Sequence, residues 1–285
     1  MFESRIRELK SRLASASIDV AFITDDDSVY YYSGYYGYLH MDFGRPTILV
    51  IPVDGKTVLI TPTMEEDLAA ALAQVDRVDL WNDGLGNEWR ETLPALLGGR
   101  TTIGIEPELI PPVVKRYLDS LVPTERLADV TPVISAMRMI KSEEELKIAR
   151  HAGEVGMAMM SAARQTIGEG IAEFEIALAA TTAGTRKAAE ILNTHYQDSL
   201  MSPSIHFMQI MASGQQITMT HHRNSTKILK RGEPIFLCFC GMTNFHRFKL
   251  GFDRTFWVGE ITDRSQIDAY HTAVESQAAA LKVLG

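Results

Sequence analysis

Both cysteines of the chain lie in one largely apolar stretch, LCFCGMTNFHRFKLGFDRTFWVG, which runs from Leu237 to Gly259. Cys238 and Cys240 stand two residues apart in a predicted strand, and we expect them to point to opposite faces, so that they do not bridge each other. A zinc site would need more ligands nearby, and the sequence has no C-x₂-C pair with a partner motif. We therefore interpret both cysteines as small apolar residues of the core.

Asp253 is the single carboxylate of this stretch, and Arg254 follows it. A charge inside an apolar strand is costly unless it is paired or used. Two interpretations stay open: a salt-bridged pair at the edge of a sheet, or a carboxylate that faces a cleft and holds a cationic substrate group.

His221 and His222 follow a predicted strand in the segment MTHHRNSTKILKRGEP. They are either surface histidines of a loop, or one of them carries a proton in a cleft, since imidazole titrates near neutral pH. The residues by themselves favour the surface interpretation.

Arg45 lies in SGYYGYLHMDFGRP, a stretch rich in glycine and aromatic residues. The simpler interpretation is that Arg45 is a turn residue. A guanidinium group also suits the bidentate binding of a carboxylate, so Arg45 is a candidate for a substrate clamp.

The elements that must position these residues fall into two parts. Residues 1–136 alternate helix and strand patterns, with short apolar strands at DVAFIT, RVDLW and TTIGIE and a hairpin at PTILVIPV-DGK-TVLITP. This alternation predicts a three-layer α/β domain. Residues 137–285 read as two long helices, the first opening on the capping box Ser142/Glu145, then mainly strands, then a helix from residue 264.

Composition limits the function classes. The chain of 285 residues suits two domains, and 46% hydrophobic with 22% charged residues is an ordinary globular balance. A net charge of −8 disfavours nucleic acid or an anionic membrane as the main partner. The apolar runs fall far short of the roughly 20 residues that span a bilayer. We expect a cytoplasmic protein with reduced cysteines.

Several segments resemble creatinase and its relatives in the pita-bread superfamily, which also holds prolidase, aminopeptidase P and methionine aminopeptidase. These segments are YYYSGYYG, FGRP, TIGIE, MRMIKSEEELKIARHAGEVG, ASG…THH and KRGEP…DRTF, and their order covers the whole chain. The resemblance implies an N-terminal α/β domain and a pita-bread domain of two related α-α-β halves. Residues 137–285 then correspond to the first half and to the start of the second, so the sequence is expected to be part of a longer protein.

The resemblance also bears on metals. The metallopeptidases of the superfamily hold two metal ions on two aspartates of the central hairpin and on a histidine and two glutamates further on. Here the two aspartate positions hold Cys238 and Gly251. Two close divalent ions need several anionic oxygens, so the resemblance predicts neither a dinuclear site nor any other cofactor.

Creatinase also departs from the metallopeptidases and is metal-free, so the resemblance to creatinase implies a metal-free site in this chain. Creatinase has a carboxylate just before the Arg-Thr pair, where Asp253 stands, a catalytic histidine at the position of His221, and a substrate-binding arginine in FGRP, which matches Arg45. Phe43 of the same segment joins Arg45 as a substrate-binding candidate. The family's N-terminal loop can reach a partner subunit, so we expect a homodimer.

The sequence thus predicts a metal-free hydrolase of a C–N bond in a small substrate that bears a carboxylate and an amidino, guanidino or N-acyl group. Two alternatives stay open: a metal-dependent Xaa-Pro aminopeptidase or prolidase, and a non-catalytic pseudo-peptidase that binds peptides.

Overall fold

The computed structural model describes residues 1–37, 46–82, 84, 88–206, 210–240 and 245–284. It divides into two compact units, Met1–Ser142 and Glu143–Gly285. The predicted boundary after residue 136 falls inside the helix Thr131–Met139, whose Ile134 and Met137 pack in the core of the first unit. That helix therefore stays with the first unit, and the next helix begins the second.

The first unit contains six strands and six α-helices among its described residues. In chain order they are α1 Phe2–Ser15, β1 Val20–Ile23, α2 Asp26–Ser33, β2 Ile48–Pro52, β3 Val58–Pro62, α3 Glu66–Leu72, β4 Arg77–Trp81, α4 Leu93–Leu97, β5 Ile103–Ile105, α5 Pro112–Leu121, β6 Leu127–Asp129 and α6 Thr131–Met139. The strands form one sheet in the order β4-β3-β2-β1-β5-β6. The hairpin β2–β3 is antiparallel, and β1 pairs antiparallel with β2 but parallel with β5.

Alternation along the strands gives this sheet two buried faces. Val20 and Phe22 belong to a cluster that α4 and α5 cover, whereas Ala21 and Ile23 face a second cluster that α1, α2 and α6 cover. Helices on both faces of a mixed sheet make the predicted three-layer α/β domain, and the prediction is confirmed.

Local differences from the predicted elements have simple causes. The helical pattern of Glu88 to Leu97 does not form one continuous helix: this segment contains a 3₁₀ turn and then α4, which starts beside Pro94. Proline has no N–H to continue a preceding helix, so a new helix begins there. The short strand β6 was not predicted, because three residues carry too little periodicity to identify a strand.

The second unit has two long helices, a three-stranded antiparallel sheet and a further helix among its described residues. They are α7 Glu143–Thr166, α8 Glu173–Ile191, β7 Ile210–Ser213, β8 Pro234–Cys238, β9 Asp253–Trp257 and α9 Arg264–Lys282. Helix α7 begins directly after Ser142, as the capping box predicts. The sheet order is β7-β8-β9.

One face of this sheet packs on α7 and α8. Met211, Leu237 and Phe239 are fully buried there, in a cluster with Ile148 and Ala152 of α7 and other apolar residues of both helices. The alternate strand residues point to the other face. That second face carries the candidate chemistry of the hairpin.

Within the described part of the chain, no helix is both long enough and apolar enough to cross a membrane.

Candidate active site

The register of the sheet brings Asp253 next to both cysteines. Cys238 of β8 lies directly opposite Asp253 of β9, and directly opposite Ile210 of β7 on its other side. Paired residues of neighbouring strands present their side chains on the same face. The Cys238 Sγ lies 2.9 Å from the Cys240 Sγ, and one ligand atom from each of Cys238, Cys240 and Asp253 lies within 4.8 Å of the other two.

The expectation that the two cysteines point to opposite faces is therefore wrong. Side chains alternate along a strand with a period of two, so residues i and i+2 share a face. The core interpretation is confirmed for Cys238, which is 6% exposed, and is wrong for Cys240, which is exposed.

The Cys238 thiol is held in its neutral form. Burial raises the pKa of this thiol to about 12, helped by its hydrogen bond with the Cys240 thiol and by the hydrogen bond and negative charge of Asp253. A neutral buried thiol is a poor nucleophile, so Cys238 alone does not offer nucleophilic catalysis.

Asp253 and Arg254 do not form the salt-bridged pair considered above. Asp253 is exposed at the start of the edge strand β9, and the Arg254 Nη1 donates a hydrogen bond to the Asp253 backbone oxygen over 2.6 Å rather than to its carboxylate. The Arg254 guanidinium lies 5.3 Å from the centre of the Phe252 ring. The Asp253 carboxylate therefore stays with the two thiols.

His221 lies in a turn on the far side of β7 from the hairpin, and it is exposed. Arg223 forms a bridge with Ile210, so the row across the sheet is Arg223, Ile210, Cys238, Asp253. Three strand spacings separate the ends of this row, about 14 Å along the backbone. The structure thus does not bring His221 into contact with Asp253, and only a bound molecule between them would touch both.

Hydrogen bonds to the backbone of β7 hold His222 in place. Its Nδ1 lies 2.9 Å from the Met211 backbone oxygen, and the Met211 N–H donates to the His222 backbone oxygen. These bonds fix the backbone beside His221. They also give His222 a structural role.

A buried carboxylate fixes the segment that follows. Glu173, at the start of α8, is fully buried and accepts hydrogen bonds from the Ser213 hydroxyl at 2.6 Å and from the N–H and hydroxyl of Ser225. The Lys227 ammonium donates to the Ser213 hydroxyl and to a Glu233 carboxylate oxygen, each over 2.7 Å. This network anchors both ends of the segment that carries His221. The sequence does not reveal this network, since a glutamate in the first turn of a helix is usually a surface residue.

A second histidine cluster, also missed, lies on the helix side of the sheet. The His151 Nδ1 lies 2.8 Å from the Tyr196 hydroxyl, and the rings of His195 and His246 stack against His151 and Tyr196 at 4.6 and 4.5 Å. Burial lowers the pKa of His246 to about 4, and burial followed by the charge of His195 lowers the pKa of His151. Stacked rings of this kind contribute packing.

Arg45 and Phe43 lie outside the described residues. Their predicted roles in substrate binding stay predictions.

The donor set of the hairpin does not fit a dinuclear metal centre. Two close divalent ions of the hard class are held by several carboxylate oxygens. Among the described residues the cluster at the β8–β9 hairpin offers one carboxylate and two thiols. The chemistry of these donors therefore differs from that of a metallopeptidase.

Comparison with known proteins agrees with this fold. Residues 5–140 match the model of the Creatinase/Prolidase N-terminal domain, and residues 147–285 match the model of Metallopeptidase family M24. The prolidase structure from Pyrococcus horikoshii superposes with a TM-score of 0.79 at 24% identity, covering 97% of this chain and 71% of that one. At that identity the likeness shows the fold.

Three relatives with different names show the same percentage identity to this chain. A creatinase from a Bacillus species is 25% identical over 265 residues, which are 91% of this chain and 61% of the creatinase. An agropine synthesis cyclase from Rhizobium rhizogenes is 25% identical over 306 residues, with 100% of this chain and 73% of the relative covered. A Xaa-Pro dipeptidase from Pyrococcus furiosus is 25% identical over 281 residues, with 98% and 72% covered. The two domain models together match nearly the whole sequence, and the chain belongs to the creatinase/prolidase superfamily, with an N-terminal creatinase-type domain and a pita-bread domain.

Proposed function

We propose that the protein hydrolyses a C–N bond in a small substrate that carries a carboxylate and an amidino, guanidino or N-acyl group, with no metal ion in the catalytic step. The observation that carries this proposal is the donor set around Asp253. A single carboxylate beside two thiols suits a cationic substrate group better than a pair of hard metal ions.

Asp253 binds the cationic end of the substrate in this proposal. Its carboxylate is exposed on β9, so a substrate can reach it from solvent. The Asp253 charge would also stabilise the positive charge on the leaving nitrogen as His221 protonates it in the transition state.

His221 is the general base that activates water and then the acid that protonates the leaving nitrogen. Its imidazole is exposed, and the bonds of His222 and of Glu173 hold the backbone on either side of it. A substrate that lies on the sheet between the His221 segment and β9 would contact both groups. Arg45 would bind the substrate carboxylate and would reach it across a homodimer, and Phe43 would be a further substrate-binding residue.

The names of the relatives divide between the candidates: some indicate a reaction other than peptide hydrolysis, and others are those of dipeptidases or peptidases. Two of the three relatives described above are named a creatinase and an agropine synthesis cyclase. The second candidate, a metal-dependent Xaa-Pro dipeptidase, is favoured by the Pyrococcus furiosus relative, and it would need the carboxylate donors that the hairpin lacks. A peptide-binding pseudo-enzyme is the third candidate.

A turnover screen tests the proposal. The full-length protein is assayed against small amidino, guanidino and N-acyl amino acids and against Xaa-Pro dipeptides. We expect turnover of a member of the first group, and a loss of roughly 10²–10⁴-fold in kcat for His221→Ala, because that is the usual contribution of a general base. Asp253→Asn should mainly raise KM for substrates with a cationic end.

Two variants serve as matched controls. His271→Ala removes an exposed imidazole from α9, and Glu260→Gln removes an exposed carboxylate beyond the end of β9; both should keep wild-type kinetics. Turnover of Xaa-Pro dipeptides alone would contradict the proposal. Tight binding without any turnover by the wild type would favour the pseudo-enzyme.

A further inference from the structure

Three potential metal ligands meet at the hairpin because of its strand register. Cys238 and Asp253 are directly opposite each other in the β8–β9 ladder, and Cys240 follows on the same face as Cys238. Their ligand atoms all lie within 4.8 Å of one another. The backbone ladder sets the spacing of Cys238 and Asp253, and Cys240 follows two residues later, so the cluster does not depend on the chance positions of long surface side chains.

The type of donor selects the type of ion. Thiolates bind soft and borderline ions such as zinc, whereas carboxylate oxygens suit magnesium, calcium and manganese. Zinc sites with three protein ligands keep an open fourth position. Two thiols and one carboxylate therefore match one thiophilic ion far better than two oxygen-seeking ions.

The geometry allows such an ion after a small movement. Two sulfur atoms that bind one tetrahedral zinc ion at about 2.3 Å lie roughly 3.8 Å apart. The present separation of the two Sγ atoms is 2.9 Å. Cys240 is exposed and lies beyond the end of β8, so rotation of its side chain can open the pair by the required distance of about 1 Å.

We propose that Cys238, Cys240 and Asp253 bind one thiophilic divalent cation, zinc in the first instance, with one coordination position left open. Binding breaks the two S–H bonds and releases both protons to solvent, so that two thiolates and one carboxylate face one doubly charged ion. The site keeps a net charge of −1. It differs from a metallopeptidase centre in its ligands and in the number of ions.

A disulfide between the same cysteines is the less favourable use of the pair. Residues two apart in a strand have Cα atoms about 6.6 Å apart, close to the upper limit for a disulfide. A metal ion requires no such closure and no oxidant.

The site shares Asp253 with the proposed reaction. A bound zinc ion would occupy the carboxylate that holds the cationic substrate group, and we expect zinc to inhibit turnover. That consequence rests on the proposed function, whereas binding itself does not. A binding experiment therefore separates the two proposals.

Cobalt titration of the reduced protein tests the site. Cobalt(II) replaces zinc in such sites, and its thiolate complexes give a charge-transfer absorption that carboxylate complexes lack. The chain has only two cysteines, so that absorption reports this cluster alone. With a phosphine reductant present, we expect one cobalt ion per chain, a thiolate band, and loss of the band when zinc is added.

Variants assign the ligands. Cys240→Ser changes an exposed residue, so its fold should survive. It removes one of the two thiolate ligands, so it should weaken cobalt binding at least tenfold and reduce the band at saturation to about half or less. Asp253→Asn should weaken cobalt binding at least tenfold, whereas the charge-matched Glu260→Gln should bind like the wild type. Circular dichroism checks the fold of each variant.

Three results would overturn the proposal. One is cobalt binding without a thiolate band, or no binding at all, by reduced and folded protein. Another is equal affinity of Asp253→Asn and Glu260→Gln. The last is stoichiometric binding of two manganese ions per chain in place of one thiophilic ion.

Discussion

Glu106 is a buried carboxyl group of the N-terminal unit that the proposed reaction does not use. It is 4% exposed and follows β5; its Oε1 accepts a hydrogen bond from the Ser28 hydroxyl at 3.1 Å, and its Oε2 has no hydrogen-bond partner among the described residues. Burial raises the pKa of Glu106 to about 7, and the nearby charge of Asp25 adds to this, while the Ser28 hydrogen bond and Arg138 oppose it. Glu106 is thus largely protonated in the native state up to neutral pH.

This shift predicts how stability depends on pH. The native state holds the Glu106 proton up to pH of about 7, whereas the unfolded chain releases it near the ordinary value of 4.5, so stability falls as pH rises through this window. A shift from 4.5 to about 7 corresponds to about 3 kcal/mol at pH 8. Glu106→Gln should remove this dependence and unfold at higher urea than the wild type at pH 8.

Urea unfolding at pH 5 and pH 8 measures the effect. Glu108→Gln, an exposed neighbour on the same segment, should keep the wild-type dependence. A Glu106→Gln variant that loses as much stability as the wild type between pH 5 and pH 8 would show that Glu106 is not the group responsible.

Single residues were predictable only where local sequence decides their surroundings. Asp253 stands out because a carboxylate in an apolar strand needs a reason to be there. Its partner Cys238 could not be identified, since the register between β8 and β9 depends on a hairpin whose length the sequence does not reveal. The two-residue period of side chains along a strand was enough to predict that Cys238 and Cys240 share a face.

At the scale of elements, the Glu173 network joins the start of α8 to the end of β7 and to the segment that leads into β8. The Glu173 carboxylate accepts from Ser213 and Ser225, and Lys227 extends the network to Glu233. Gly214, in the same corner, has φ of +56°, and a Cβ there would lie 2.7 Å from the Glu233 Oε1. The close packing of this corner fixes the chain on both sides of His221.

Removal of the Glu173 carboxylate should loosen this corner. Glu173→Ala leaves the buried Ser213 hydroxyl and the half-buried N–H and hydroxyl of Ser225 without their acceptor, which should cost roughly 2–4 kcal/mol in unfolding free energy. Urea unfolding measures the loss of unfolding free energy. Relative to the wild type, amide hydrogen exchange should accelerate more at Ser225 than at other residues of the second unit.

Glu175→Ala is the matched control, because Glu175 is exposed in the same first turn of α8. It removes the same charge from the same helix end and should cost less than about 1 kcal/mol. Equal losses in the two variants would mean that the network does not stabilise the corner.

Most elements were predictable because their periodicity is strong. Helices α7 and α8 and the hairpin β2–β3 lie where their patterns predict them. The pairings of β1 with both β2 and β5 could not be predicted, since β-sheet order depends on contacts between distant parts of the chain.

At the scale of the whole molecule, the chain has two compact units, each with its own core. The order of segments from YYYSGYYG to DRTF predicted the family, and the two domain models confirm it. The reaction does not follow from the fold, because one fold carries many chemistries. It follows from the side chains at one place, and those differ here from the oxygen donors of a dinuclear centre.

The measurement that tests the metal-free reaction most directly is turnover by the full-length protein after its metals have been removed by a chelator and its metal content has been measured. We predict unchanged or higher turnover in the chelated protein, and no gain when manganese is added, because in the proposed reaction Asp253 and His221 act without a metal ion. Turnover that vanishes on chelation and returns with manganese would contradict the account.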